Sequence, residues 1–284
     1  MSDYIVSSDE LTSVASAIRG ITGGTTSLAF PSAFVSEIGK IENMIDGIIE
    51  GTFSGEFRND RISTIKNYTF QHCDALTVAD FPNCTDIGEN AFLGCHQLSI
   101  VNFPNCTIIK MRAFQDCSQL TSINFPNCIS IKNGAFTNCS TMTTISFPNC
   151  VQVDAYAFSR CFSLTTANFP NCTSIGLSAF VNCSKLTSIN FPNCISISDR
   201  AFSGCWRLLN AYFLGESIPV LSAYTAFSGT PIAGFRTYTN SVYGSIYVRA
   251  SLLTSFQSAT NWTHFSSRMV GLTDEEIAAL PFNS

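Results

Sequence analysis

Leu120-Thr-Ser-Ile123-Asn-Phe125-Pro-Asn-Cys128-Ile-Ser-Ile131-Lys-Asn-Gly-Ala135-Phe136-Thr-Asn-Cys139 is one period of a sequence that repeats every 22 residues. The half-motif Phe-x-x-Cys recurs every eleven residues from Phe70-Gln-His-Cys73 to Phe202-Ser-Gly-Cys205, and it accounts for all thirteen cysteines. It alternates between FPNC (Phe81, Phe103, Phe125, Phe147, Phe169, Phe191) and AFxxC (Phe92, Phe114, Phe136, Phe158, Phe180, Phe202), which makes the structural unit the pair. A fixed period of this length describes a stack of coils, each burying its apolar face on its neighbours.

Within one unit, Leu120, Ile123 and Phe125 are expected to point inward, with Thr121, Ser122 and Asn124 outward, as alternation along a strand requires. Pro126 ends the strand because it has no N–H for a ladder. Ile131, Ala135, Phe136 and Cys139 then bring the chain back as a short, mostly non-helical return. The result is a coil closed by two phenylalanine spines and two cysteine ladders. Equivalent cysteines would lie ~4.8 Å apart with parallel side chains, a poor match to the ~3.8 Å Cβ separation of a disulfide, so buried free thiols are expected.

Charged residues make up 12% of the 284-residue chain, against 45% apolar, and the net charge is −5. No basic stripe is present, which argues against nucleic acid as a partner. Apolar runs such as Met44-Ile45 are too short for membrane insertion. Met1-Ser2-Asp3-Tyr4 has neither the basic start nor the apolar stretch of a Sec-type signal.

Residues 1–50 lack the repeat and are expected to form a small helical attachment module. Ser7-Ser8-Asp9-Glu10 has the form of a capping box, and Phe34, Ile38, Ile41 and Ile45 make one helical stripe. The solenoid is expected over 51–232, imperfect at its start near Phe57 and at its end, where Phe227-Ser-Gly-Thr230 has drifted by three residues, lost its cysteine and should be frayed. Residues 233–284 are expected to be a C-terminal strand-helix cap: Ser245–Val248 reads as a strand, Ser251–Ala259 as a short helix, and Trp262 and Phe265 are available to cover the open end.

The pattern L-x-x-I-x-F-P-N-C-x-x-I-x-x-x-A-F-x-x-C resembles the BspA-type (Treponema-type) leucine-rich repeat over about residues 57–230. That resemblance implies a right-handed leucine-rich-repeat solenoid of parallel strands with short non-helical returns. Cysteine at the FPNC position departs from it, since that family more often has an aliphatic residue there. The stretch YVRASLLTSFQSATNW, ending at Trp262, resembles the segment that often closes such arrays, with Arg249 where a proline is more usual. Asp9 to Ile41 is similar to openings of tail-associated proteins of bacteriophages and prophages in gut Firmicutes. BspA-type proteins are typically surface adhesins, so the resemblance implies a non-enzymatic scaffold on a bacterial surface or virion, with a protein or cell-surface glycan as partner. The alternative it leaves open is a structural tail component without a receptor-binding role.

The residues themselves offer little chemistry. There is no Gly-x-Ser-x-Gly elbow, the acids sit at mixed phases, and His72, His96 and His264 are not clustered as zinc ligands, so no catalytic residue, metal or cofactor is expected. His72 and His96 adjoin Cys73 and Cys95, an arrangement that activates a thiolate in other settings; here a core thiol beside an exposed histidine is the simpler reading. The outward strand columns are rich in hydroxyls and amides, with Asn124, Asn168 and Asn190 in one and the third running Val78, Ile100, Ser122, Thr144. Tyr156, Phe162, Trp206 and Tyr212 add aromatics to an otherwise small polar surface and form, with those asparagines, the candidate binding surface. The competing possibility is that Trp206 is covered by the cap.

Overall fold

The chain is described from a computed structural model, which covers residues 54–234 and 243–280. The helical module expected over residues 1–50 lies outside them.

Each period makes three sides. A front strand such as Thr166–Asn168 is cut short by the proline that follows Phe169. The Pro-Asn-Cys turn leads to a two-residue back strand such as Ser174–Ile175. The third side is built of consecutive turns running through Ala179-Phe180 to Cys183. All strand pairs are parallel, with each residue opposite its 22-residue equivalent in the central coils, for instance Ala167 with Ile189 and Val153 with Ile175. The back strands form one eight-stranded sheet from Thr64–Ile65 to Val220–Leu221. The turn side is laddered as well: Phe114 N–H bonds Ala135 O at 2.8 Å and Phe136 N–H bonds Ala157 O at 2.8 Å. The expected solenoid with short, non-helical returns is therefore observed.

The FPNC asparagine has a role that its surface position hides. Nδ2 of Asn149, Asn171 and Asn193 donates to Pro126 O, Pro148 O and Pro170 O at 2.9, 2.8 and 2.8 Å, so each asparagine hooks its coil to the one before. The turn side needs two residues in the left-handed region per coil, for example Asn90 at φ 54° and Asn138 at φ 62°. Asparagine, aspartate and glycine take that conformation readily, and larger side chains do so at a cost.

The core is one continuous cluster. Its AFxxC spine stacks face to face, with Phe92–Phe114 at 5.0 Å and Phe136–Phe158 at 5.3 Å between ring centroids. The FPNC spine runs beside it, Phe103–Phe125 at 5.5 Å, and the two meet edge to face, as at Phe103–Phe114. All thirteen cysteines are buried and free. Their thiols have two distinct acceptors. Cys117, Cys139 and Cys161 of one ladder reach back to Phe92 O, Phe114 O and Phe136 O at 3.1, 3.2 and 3.3 Å, whereas Cys106 and Cys150 of the other donate two residues ahead, to Ile108 O and Gln152 O.

Three details depart from the sequence reading. Val78, placed outward, is buried: it is in register with Glu56 on one side and Ile100 on the other, which cover it. Ile123 is only partly buried, and the front sheet is split beside it. Strands Ser54–Arg58, Ala75–Asp80, Ile100–Asn102 and Ser122–Asn124 form one sheet, and Thr144–Ser146 begins a second that runs on through Ser245–Arg249 to Met269–Leu272. Across this seam Phe125 and Phe147 stand 6.2 Å apart, and the Thr141 hydroxyl donates to Ser118 O and Leu120 O at 2.8 and 3.0 Å.

Phe227 is the third departure, because it is not frayed. The extra residues are absorbed before Val220 and Ala226, so that Phe202 N–H bonds Ala226 O and Phe227 stacks on Phe202 at 5.5 Å. Trp262 and Phe265 then close on Phe227 from the far side. Trp262 Nε1 donates to Pro219 O at 2.8 Å and Asn261 Nδ2 to Leu221 O at 2.7 Å, capping the last back strand. The strand of this cap spans Ser245–Arg249 and its helix Leu253–Ser258, close to expectation. Arg249 ties it to the last coil through Leu214 O at 2.9 Å and to Glu216 and Asp274.

Candidate interaction surface

On the front face the hydroxyl column is spent on structure. Thr165 Oγ1 donates to Thr143 O at 2.9 Å and Thr187 Oγ1 to Thr165 O at 3.2 Å. The neighbouring asparagine column forms its own chain: Asn124 to Asn102 and Asn102 to Asp80, each at 2.6 Å, with Arg58 on Asp80 at 2.7 Å. It stops at the seam and resumes weakly, Asn168 reaching Ser146 at 3.4 Å. Asn190 Oδ1 is buried without a partner. Asn124, Asn168 and Asn190 thus share one ladder face, and side-chain amides of the first two already bond within it.

The four aromatics do not form one patch. Tyr212 stacks on Tyr247 at 4.7 Å on the front sheet. Tyr156 projects from the start of the turn side, in the left-handed conformation and 42% exposed. Phe162 and Trp206 occupy the corner between the turn side and the front sheet, 44% and 58% exposed. Trp206 is not under the cap; the tryptophan there is Trp262, 1% exposed. Serines in the same column bond back one coil, as Ser140 to Ser118 O and Ser184 to Phe162 O, both at 3.3 Å. Phe162 and Trp206 replace that small hydroxyl with an apolar surface two coils, ~10 Å, apart.

The reactive side chains among the described residues are chiefly the thiols, and these are buried. Burial pushes Cys73 and Cys172 up to about 11 and Cys128 up to about 12. At Cys183 burial pulls up while hydrogen bonds from Cys161 and Cys205 pull down; with the site fully desolvated and no cation beside it, the neutral thiol prevails. His96 Nδ1 lies 3.0 Å from Asp116 O, and His264 stacks on Tyr224. No group of three metal-ligating side chains is present among the described residues. An open cleft of about 530 Å³ is lined by Lys66, Tyr68, Asp86 and Lys110, but its Lys110 is paired with Asp86 at 2.8 Å. No described helix is long and apolar enough to cross a membrane.

A family model described as the BspA type leucine rich repeat region matches residues 56–151 and 107–233. Comparison with curated proteins finds no match. Among solved structures, a leucine-rich repeat protein from Bacteroides ovatus is similar at 27% identity and a TM-score of 0.55, over 66% of this chain and 53% of that one. The chain therefore spans about half the length of that relative. The leucine-rich repeat protein of T. pallidum matches at 25% identity and a TM-score of 0.41, over 57% of this chain and 67% of that one.

Proposed function

The chain belongs to the BspA-type leucine-rich repeat family, and on that premise we propose that it is a non-enzymatic recognition scaffold whose partner is a protein or a cell-surface glycan. Proteins of this type are generally surface or protein-binding scaffolds. The observation that carries the reading is the exposure of Phe162 and Trp206 on a molecule whose spine phenylalanines are all buried. Large aromatics left in water at a fixed spacing supply contact area at little entropic cost. Tyr156, and the front face with Tyr212, Asn124, Asn168 and Asn190, are the secondary contacts of this reading.

The test is binding to panels of immobilised host-matrix proteins and cell-surface glycans, comparing the native chain with Phe162→Ala/Trp206→Ala. The double variant is expected to keep its melting temperature and to lose about 2 kcal/mol or more of binding, a ~30-fold weakening. Full-strength binding by a folded double variant, or no binding by the native chain to either panel, overturns the reading.

A further inference from the structure

The corner that carries Phe162 and Trp206 is polarised in charge along the solenoid. In the first three coils the segments 71–75, 93–97 and 115–119 hold Asp74 and Asp116 and no lysine or arginine. The fourth, 137–141, is uncharged. In the next three, 159–163, 181–185 and 203–207, the charged residues are Arg160, Lys185 and Arg207, with no acid. These coils are contiguous, since Arg160 N–H bonds Val181 O and Asn182 N–H bonds Ser203 O, each at 2.8 Å. All three cations are exposed. The acids of the same coils, Asp154 and Asp199, lie where the back strand enters the turn side, within reach of Lys132 at 3.6 Å and Arg200 at 3.8 Å.

Arg160 stands two residues before Phe162. Its backbone is left-handed, φ 59°, as at the same position of the other coils, where His72, Gly94, Asp116, Asn138, Asn182 and Gly204 stand. Glycine, aspartate and asparagine suit the conformation better than arginine or histidine.

We propose that this corner binds anionic saccharides. Phe162 and Trp206 offer faces for the C–H surfaces of sugar rings, Ser184 and Asn182 lie in the coil between them, and Arg160, Lys185 and Arg207 pair with carboxylate or sulfate groups. The two aromatics stand too far apart to grip one small side chain, and their spacing along the coil axis suits an extended, periodic polymer. The inference rests on the reading of this corner as a recognition surface and names the ligand class.

The test is a panel of sialylated, uronic-acid and sulfated oligosaccharides, each with its neutral counterpart, together with poly-glutamate and single-stranded DNA as anions of other classes. The native chain is expected to prefer acidic members, with binding that weakens as salt rises. Lys185→Glu/Arg207→Glu is expected to lower that affinity at least about tenfold without lowering the melting temperature. Arg160→Asn is expected to weaken binding while raising the melting temperature, a combination that a merely structural arginine would not give. No preference for any acidic member over its neutral counterpart overturns the proposal, as does equal binding of poly-glutamate or DNA, or indifference to the charge reversal. Binding that requires Phe162 and Trp206 yet ignores the charges leaves the broader recognition reading standing and removes this one.

Discussion

At a single cysteine the packing logic is easiest to test. Every thiol from Cys84 to Cys205 sits in a column of its own kind and donates to a backbone carbonyl, and burial raises the pKa, to about 11 at Cys84. Native protein is therefore expected to show essentially no reaction with a thiol reagent at pH 8, and thirteen equivalents after denaturation; rapid modification of several thiols in folded protein would contradict the burial. The same shift fixes a pH dependence. A thiol whose folded pKa lies above its unfolded value of 9.0 gives stability that is complete below pH 9 and lost as pH rises towards 11. Urea unfolding should show a midpoint steady from pH 6 to 8 and falling above 9, at about 1.4 kcal/mol per pH unit for each thiol ionised only in the unfolded chain. That the cysteines are buried and unpaired was legible from their spacing. The division of labour between the ladders was not, because whether a thiol looks back one coil or two residues ahead depends on turn geometry that Phe-x-x-Cys does not encode.

Between coils, the element that matters is the stacked ring. Phe136 lies between Phe114 and Phe158, each at 5.3 Å, so Phe136→Ala is expected to lose about 3–5 kcal/mol by opening a cavity. Phe227 has Phe202 on one side and Trp262 and Phe265 on the other, so Phe227→Ala should cost a comparable amount by denaturant unfolding. A loss below about 1 kcal/mol there would mean a loose end after all. The sequence misleads at this residue because drift in register resembles fraying when the residues that absorb it, between Phe213 and Ala226, cannot be seen as a loop. The seam is the other local consequence: Thr121, Thr165 and Thr187 N–H groups bond the preceding coil at 3.0, 2.8 and 3.1 Å, and Thr143 N–H has no such bond among the described residues. Hydrogen exchange should be faster at Thr143 than at the other three, and equal protection at all four would close the seam. Its sequence signal is slight, a threonine at 141 where Gln97, Gln119 and Lys185 stand in other coils.

Over the whole molecule, the architecture was written in the period and the recognition surface only in part. Phe162 and Trp206 were visible as aromatics in a serine column, but Trp206 and Trp262 are indistinguishable as candidates for the cap until the last coil is closed. Tyr156 and Tyr212 share the period yet face other directions, since sequence phase says how far round a coil a residue lies only once the number of sides is known. The three cations were missed because they occupy two different columns and converge only when adjacent coils are superposed. One feature of the stack reaches beyond any single contact. The asparagine hook of every FPNC turn, like the rings and strands, finds its partner one coil earlier. Excision of residues 99–120 would join Leu98 to Thr121 as Leu120 is joined now, and the Asn127 hook would meet Pro82 O, which now receives Asn105, in place of Pro104 O. Chain length is thus a free variable on which recombination between near-identical periods can act. Each coil gained or lost slides the aromatic corner by ~4.8 Å relative to the first coil, which makes the solenoid a ruler as well as a support.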